Sequence, residues 1–157
     1  MSEAVHGTAL GCALAADQPL RGVLLVGPSG AGKSALASGL IAHCPFQRTG
    51  LIADDLVNID ERGWAHAPAG AEGVLLHLAG MGIAEVRSAP PMLMDYVVHL
   101  GPVPDSSEIV SKMPAAQHVP VDPEAVDAAK LRLALGSLSS GRTLWCGFEP
   151  GPAPRRS

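Results

Sequence analysis

Aromatic side chains are scarce in this chain: two Trp, one Tyr and two Phe make up 3% of it. A core with so few rings must be built mainly from Leu, Val, Ile and Ala, which suits helices packed on a buried aliphatic sheet. Cysteine is also sparse. Cys12, Cys44 and Cys146 are widely spaced and odd in number. That excludes a clustered metal motif and a disulfide framework, and it points to a reducing cytoplasm. Positive charge is limited to 11 Lys and Arg against 15 Asp and Glu, for a net charge of −4. The basic footprint of a nucleic-acid binder is missing, and Arg155 with Arg156 do not make a patch. No apolar run approaches the ~18 residues of a spanning helix, and Met1–His6 is too polar for a secretory signal, so neither a membrane span nor a leader is expected.

What is present is the material of one ordinary domain. The 157 residues are 47% hydrophobic and 17% charged, enough for a core and too apolar for a disordered chain. Residues 1–10 read as a short lead-in. Gly11–Asp17 and Gly22–Val26 read as a hairpin turning at Asp17-Gln18-Pro19, and the run Val23–Val26 suits a strand buried on both faces. Ser34–His43 carries helical spacing and stops before Pro45. Leu51–Ala53 is a short strand closed by Asp54-Asp55. Leu56–Asp60 continues extended to a turn at Glu61-Arg62-Gly63. Ile83–Val86, Tyr96–Leu100 and an edge strand at Val119–Val121 follow, with a Pro/Ser-rich loop at 101–107. A late helix is expected with Asp122 as N-cap, Pro123 at its first position, Ala125–Leu135 as its body and Gly136 as its stop. The expected organisation is one sheet-rich α/β domain over residues 1–138, then a Gly/Pro/Ser-rich tail over 139–157.

Gly27-Pro28-Ser29-Gly30-Ala31-Gly32-Lys33-Ser34 fits G-x-x-x-x-G-K-[ST] at every constrained position, between an apolar strand and a helix. Glycines let successive backbone N–H groups converge on a phosphate, and the helix N-terminus adds its positive end. Lys33 supplies a charge to the outer phosphates and Ser34 a hydroxyl to Mg²⁺. A nucleoside triphosphate is therefore the expected ligand, with all eight residues lining its phosphates. Downstream, Asp54 and Asp55 close a strand, where open α/β sheets bind ligands. One carboxylate can engage Mg²⁺ and the other can accept a proton from an attacking hydroxyl. Neighbouring strand residues face opposite ways, so both can serve only if the strand ends at Ala53.

The order His6-Gly7, glycine-rich loop, Leu51-Ile52-Ala53-Asp54-Asp55-Leu56-Val57 and Gly80-Met81-Gly82-Ile83 resembles the catalytic domain of HPr kinase/phosphorylase. It is most similar to short bacterial forms that lack the N-terminal domain, over roughly residues 5–136. The resemblance implies a P-loop-containing fold of the HPr kinase and phosphoenolpyruvate carboxykinase type. It implies ATP and Mg²⁺ as cofactors, a serine of the phosphocarrier HPr as acceptor, and a cytoplasmic homo-oligomer, a hexamer in the family. By position, Lys33 contacts phosphate and Ser34 ligates magnesium. Asp55 is the proton acceptor, with Asp54 beside it as a further metal candidate, and His6 is an active-site histidine.

The family's Leu-Glu-x-Arg-Gly-x-Gly-Ile signature reads Leu76-His77-Leu78-Ala79-Gly80-Met81-Gly82-Ile83 here. His77 replaces a glutamate that ligates magnesium, and Ala79 replaces an arginine. Mg²⁺ prefers oxygen to imidazole, and a lost cation weakens stabilisation of a transferring phosphoryl group. Nucleotide binding is least affected by these changes and the phosphorylase reaction most. Two expectations follow: an ATP-dependent protein-serine kinase, or a nucleotide-binding regulatory module with little transfer. Glu85 and Arg87 offer a shifted replacement for the missing pair. His66, His99 and His118 read as isolated surface or sheet-end residues. A small-molecule kinase is disfavoured by the Ala-Asp-Asp strand and by the lack of a lid segment.

Overall fold

The computed structural model describes residues 3–28, 30–69, 75–101, 108–142 and 144. Strands β1 (Glu3–His6), β2 (Thr8–Cys12) and β3 (Arg21–Val26) lead into helix α1 (Lys33–Ala42). Strands β4 (Gly50–Ala53), β5 (Leu56–Ile59), β6 (Trp64–His66), β7 (Leu75–Leu78), β8 (Gly82–Glu85) and β9 (Met92–Leu100) follow. The short helix α2 (Glu108–Lys112), strand β10 (Gln117–Val121) and helix α3 (Ala128–Ser139) close the described chain. The principal sheet has eight strands in the order β1-β5-β6-β9-β3-β2-β4, with β10 also on β9, and β7-β8 stands apart as a hairpin. Among the described residues no helix is long and apolar enough to cross a membrane.

Residues 3–10 are not a lead-in. They belong to β1 and β2, and β2 is one of the most buried strands, lying between β3 and β4 and antiparallel to both. The segment has little pattern of its own; its neighbours in the sheet make it a strand, as is common for β structure. Strands β3, β9 and β10 are mutually parallel neighbours, so the sheet is mixed rather than wholly parallel. On the side away from β3, β9 serves two partners in succession: Met92 and Leu93 pair with β6, and Tyr96–Leu100 with β10.

Alternation along β3 divides the core. Val23 and Leu25 join Leu10, Tyr96 and Val98 beneath Leu36 and Leu40 of α1 and Leu131 and Leu135 of α3. Leu24 and Val26 face the other way, toward Val57, Ile59, Val97 and Met113. A bulge keeps β9 in step with this division. Gly22 pairs with Met94 but Val23 with Tyr96, leaving Asp95 as the extra residue. Its carboxylate accepts the Gly22 N–H at 3.1 Å, and Arg21 lies 3.8 Å from it. Gly22 is small out of necessity, because a Cβ there would run into the Leu93 carbonyl and the Met94 methyl.

Helix α1 covers one residue fewer at its end than the expected Ser34–His43 and starts one earlier. Its last carbonyls are taken up by Arg132 of α3, which donates to Leu40 O and His43 O, so a cation sits where the helix is electronegative. The late helix differs from expectation. Asp122 instead organises a turn, its carboxylate accepting the Glu124 N–H and its carbonyl those of Ala125 and Val126. The cap is Asp127, which accepts from Lys130 N at 2.8 Å. Gly136 does not stop α3, because Leu138 beyond it still packs on the core. The stop is Gly141 at φ 78°, with Arg142 N donating back to Ser137 O, the usual left-handed close. Ser29, residues 102–107 of the Pro/Ser-rich loop, Cys146, Arg155, Arg156 and most of the tail lie outside the described residues.

Two sets of side chains expected to be apart are together. Cys12 and Cys44, both free and buried, flank Thr49, whose hydroxyl lies 3.2 Å from Cys44 Sγ and 4.0 Å from Cys12 Sγ. Burial pushes the Cys44 thiol up, but hydrogen bonds from Thr49 and from the backbone of Arg48 and Phe46 outweigh it and hold it at about 6. His99 is 4% exposed, and its Nε2 lies 2.9 Å from His118 Nδ1. His118 Nε2 lies 3.0 Å from Met113 O. A carbonyl only accepts, so a neutral His118 carries its proton on Nε2 and accepts at Nδ1 from His99.

Burial, and then His118, hold His99 down at about 4, from an ordinary 6.5. Between these values the unfolded chain takes up a proton that the folded one does not. The stabilising contribution is therefore full above pH 6.5 and is lost as pH falls to about 4. The expected loss is at most ~3 kcal/mol. Thermal unfolding across that window should show a declining midpoint, and His99→Gln should flatten the decline. Gly22→Ala should cost ~1–3 kcal/mol through overpacking, read as a lower unfolding midpoint at every pH.

Candidate functional site

Strand β3 ends at Val26, and the chain turns through Gly27–Gly32 into α1. Gly32 adopts φ 100° as the N-cap residue, with no side-chain cap. A Cβ-bearing residue is strained in that left-handed conformation. The first amides of α1 have no carbonyl one turn back, and they open into a cleft of about 610 Å³ lined by Gly30, Gly32, Lys33, Ser34 and Ala35. Lys33 folds onto its own loop, Nζ donating to Gly27 O at 2.8 Å and Pro28 O at 3.1 Å. The loop is thus braced by the same cation that would reach a phosphate.

Strand β4 ends at Ala53, as the two-aspartate reading requires. Asp54 and Asp55 lie in the bend beyond it, and Asp55 is left-handed at φ 73°. Both line the cleft. Asp54 is the more tightly held. Ser34 Oγ donates to its Oδ1 at 3.0 Å and lies 3.3 Å from Oδ2. Thr8 Oγ1 donates to Oδ1 at 2.9 Å, and the His77 N–H to Oδ2 at 3.2 Å. Asp55 is exposed, and among the described residues its carboxylate accepts no hydrogen bond. Its backbone is pinned instead, the Gly7 N–H donating to Asp55 O at 3.1 Å.

Thr8 is a site residue that sequence reasoning passed over. Because β2 runs antiparallel to β3 and β4, its first residue lies where those two strands end. Thr8 is opposite Leu25, and Ala9 is opposite Ala53. Its position directly after His6-Gly7 was the available signal. His6 itself is placed differently. It ends β1 opposite Leu56, is exposed, and is not among the residues lining the cleft.

The facing wall comes from the β7–β8 hairpin, which contributes His77, Leu78, Ala79 and Met81. Leu76 is fully buried and Leu78 packs on the same core, which anchors one face of the hairpin. Met81 and Ile83 are 87% and 70% exposed at its tip and outer face. Both positions that depart from the signature, His77 and Ala79, therefore lie at the cleft. Arg87 does not substitute for the missing arginine: its guanidinium donates to Thr49 O at 2.9 Å, and neither it nor Glu85 lines the cleft.

Among the described residues no group of three or more His, Cys, Asp or Glu side chains is arranged to hold a metal by itself. The pair Ser34 and Asp54 fits Mg²⁺ nonetheless, because that ion takes one or two protein oxygens and completes its shell with phosphates and water. The cleft can thus offer amides and Lys33 to phosphates, two oxygens to a hard cation, and an exposed carboxylate to a reacting hydroxyl.

No family model and no curated protein matches the chain. Among solved structures it is similar to the Hpr(Ser) kinase/phosphatase from Coxiella burnetii, with a TM-score of 0.58 and 18% identity over 88% of this chain and 89% of that one. At that identity the likeness concerns the fold: a mixed α/β, sheet-rich single domain of the HPr kinase type.

Proposed function

We propose that the cleft binds ATP with Mg²⁺ through Gly27–Ser34 and transfers the terminal phosphoryl group to a serine hydroxyl of an HPr-like phosphocarrier protein. The observation that carries this reading is the hydrogen bond between Ser34 and Asp54. It brings the start of α1 and the end of β4 together as a pair of oxygens for one cation, beside open helix amides. When bound, Mg²⁺ would neutralise charge on the outer phosphates. Lys33 would exchange the Gly27 and Pro28 carbonyls for phosphate oxygens. Asp55, exposed at the cleft, would take the proton of the acceptor serine as its oxygen bonds to the terminal phosphorus. The bond from that phosphorus to the bridging oxygen breaks, leaving ADP and phosphoserine. The same reading places the protein in the cytoplasm as a homo-oligomer, in keeping with the free thiols of Cys12 and Cys44.

A second reading has its own support. The hairpin wall offers His77, Leu78, Ala79 and Met81 to the cleft, with no carboxylate and no permanent cation. A site built this way keeps its groups for binding phosphates and has fewer for the transition state. It would serve as a nucleotide-responsive regulatory module.

Transfer of labelled phosphate from ATP and Mg²⁺ to HPr separates the two. A kinase should phosphorylate HPr but not HPr lacking its acceptor serine. Asp55→Asn should then lower the rate ~100-fold while ATP affinity stays within a few-fold. Lys33→Ala should weaken ATP binding ~10-fold or more. Binding without transfer would exclude the kinase and leave the regulatory module. Loss of neither binding nor transfer in Lys33→Ala would remove the loop from the mechanism.

A further inference from the structure

Thr8 is fully buried, yet its hydroxyl reaches the cleft and donates to Asp54 Oδ1 at 2.9 Å. That oxygen also accepts from Ser34 at 3.0 Å, while Oδ2 accepts from the His77 N–H at 3.2 Å. A carboxylate has about four lone-pair sites. Three donors from three different elements leave it one direction open and little freedom to turn. Of the three, Ser34 is the one whose own oxygen a cation would claim. The His77 donor belongs to a two-stranded hairpin that lies outside the principal sheet. Thr8 alone is fixed within the sheet, on a strand hydrogen-bonded on both sides.

We propose that Thr8 is a positioning residue that holds Asp54 in the rotamer required to share a divalent cation with Ser34, and so sets the cation affinity of the nucleotide complex. The inference rests on the nucleotide-and-magnesium reading above. The side chain has a specific chemical task. Its hydroxyl fills a lone pair on Oδ1 that would otherwise bind water and let the carboxylate turn away. Its methyl and Cβ only fill space. Valine keeps the shape and removes the donor, and serine keeps the donor and removes the methyl.

The test is a Mg²⁺ titration of the full chain held with a fluorescent ATP analogue, together with the analogue's affinity in EDTA and the unfolding midpoint of each variant. Thr8→Val should raise the Mg²⁺ midpoint ~10-fold, the size expected for losing one charge-assisted hydrogen bond. Its metal-free nucleotide affinity should stay within ~2-fold, because the donor acts on the carboxylate and not on the phosphates. Thr8→Ser should restore the wild-type Mg²⁺ midpoint. A folded Thr8→Val with an unchanged Mg²⁺ midpoint overturns the inference, as does a Thr8→Ser that shifts it as far as valine does. If Thr8→Val does not fold, Thr8→Ala and Thr8→Ser decide by the same comparison. A wild type that binds the analogue with no Mg²⁺ dependence overturns the underlying reading and this inference together. A wild type that responds to Mg²⁺ while both Thr8 variants match it overturns this inference alone.

Discussion

The hydrogen bond from the Ser34 hydroxyl to Asp54 joins the first turn of α1 to the end of β4, and it exists because β3 and β4 both run antiparallel to β2. Two strands antiparallel to a third are parallel to each other, so their carboxyl ends emerge on the same edge of the sheet. The glycine loop leaves one and the aspartates leave the other. The intervening strand also begins at that edge, which is why Thr8 fills the gap between them. Were β2 absent from between them, the loop and the aspartates would be direct neighbours and the buried hydroxyl would have no place. Exchange of one strand's direction would send Asp54 to the far side of the sheet.

The parts of this arrangement with strict local chemistry were legible in the sequence. The Gly27–Ser34 spacing, the apolar run before it and the helix after it are dictated by backbone geometry over a few residues. The end of β4 at Ala53 follows from the same kind of argument, since two adjacent carboxylates on one cleft require an interrupted strand. What was not legible depends on partners far along the chain. Residues 3–10 become strands because β3, β4 and β5 provide ladders for them, and nothing in Glu3–Leu10 alone demands it. The start of α3 is ambiguous in the sequence because two aspartates, Asp122 and Asp127, compete as caps; in the structure the first makes a turn and the second caps the helix. Gly136 was read as a stop by its local propensity, which the burial of Leu135 and the packing of Leu138 override. The meeting of Cys12 with Cys44 around Thr49, and of His99 with His118, is a consequence of strand order that spacing cannot express.

The likeness of fold to an HPr kinase/phosphatase at 18% identity carries less information about chemistry than the contents of the cleft do, because function resides in the site. Here the two walls differ in kind. The sheet-end wall is polar and mutually braced: Lys33 on Gly27 O and Pro28 O, and Ser34 and Thr8 on Asp54. The hairpin wall is aliphatic apart from His77, and its structural investment is in Leu76 and Leu78, which hold it to the core. A wall secured by Leu76 and Leu78 keeps its place independently of His77 and Ala79, which face the cleft.

That asymmetry bears on which steps the site can support. Binding a triphosphate would draw on helix amides and a lysine, both of which lie on the sheet-end wall. Moving a phosphoryl group requires in addition that charge on the equatorial oxygens be met as it develops. His77, Leu78, Ala79 and Met81 contribute no permanent cation, so in the proposed transfer that task would fall on Lys33, the amides and the bound metal. The placement of a metal there would depend on one carboxylate whose rotamer is held from three directions. A cleft with few electrostatic groups on one side would place a correspondingly greater demand on the geometry of the groups on the other. In this protein that demand converges on Asp54.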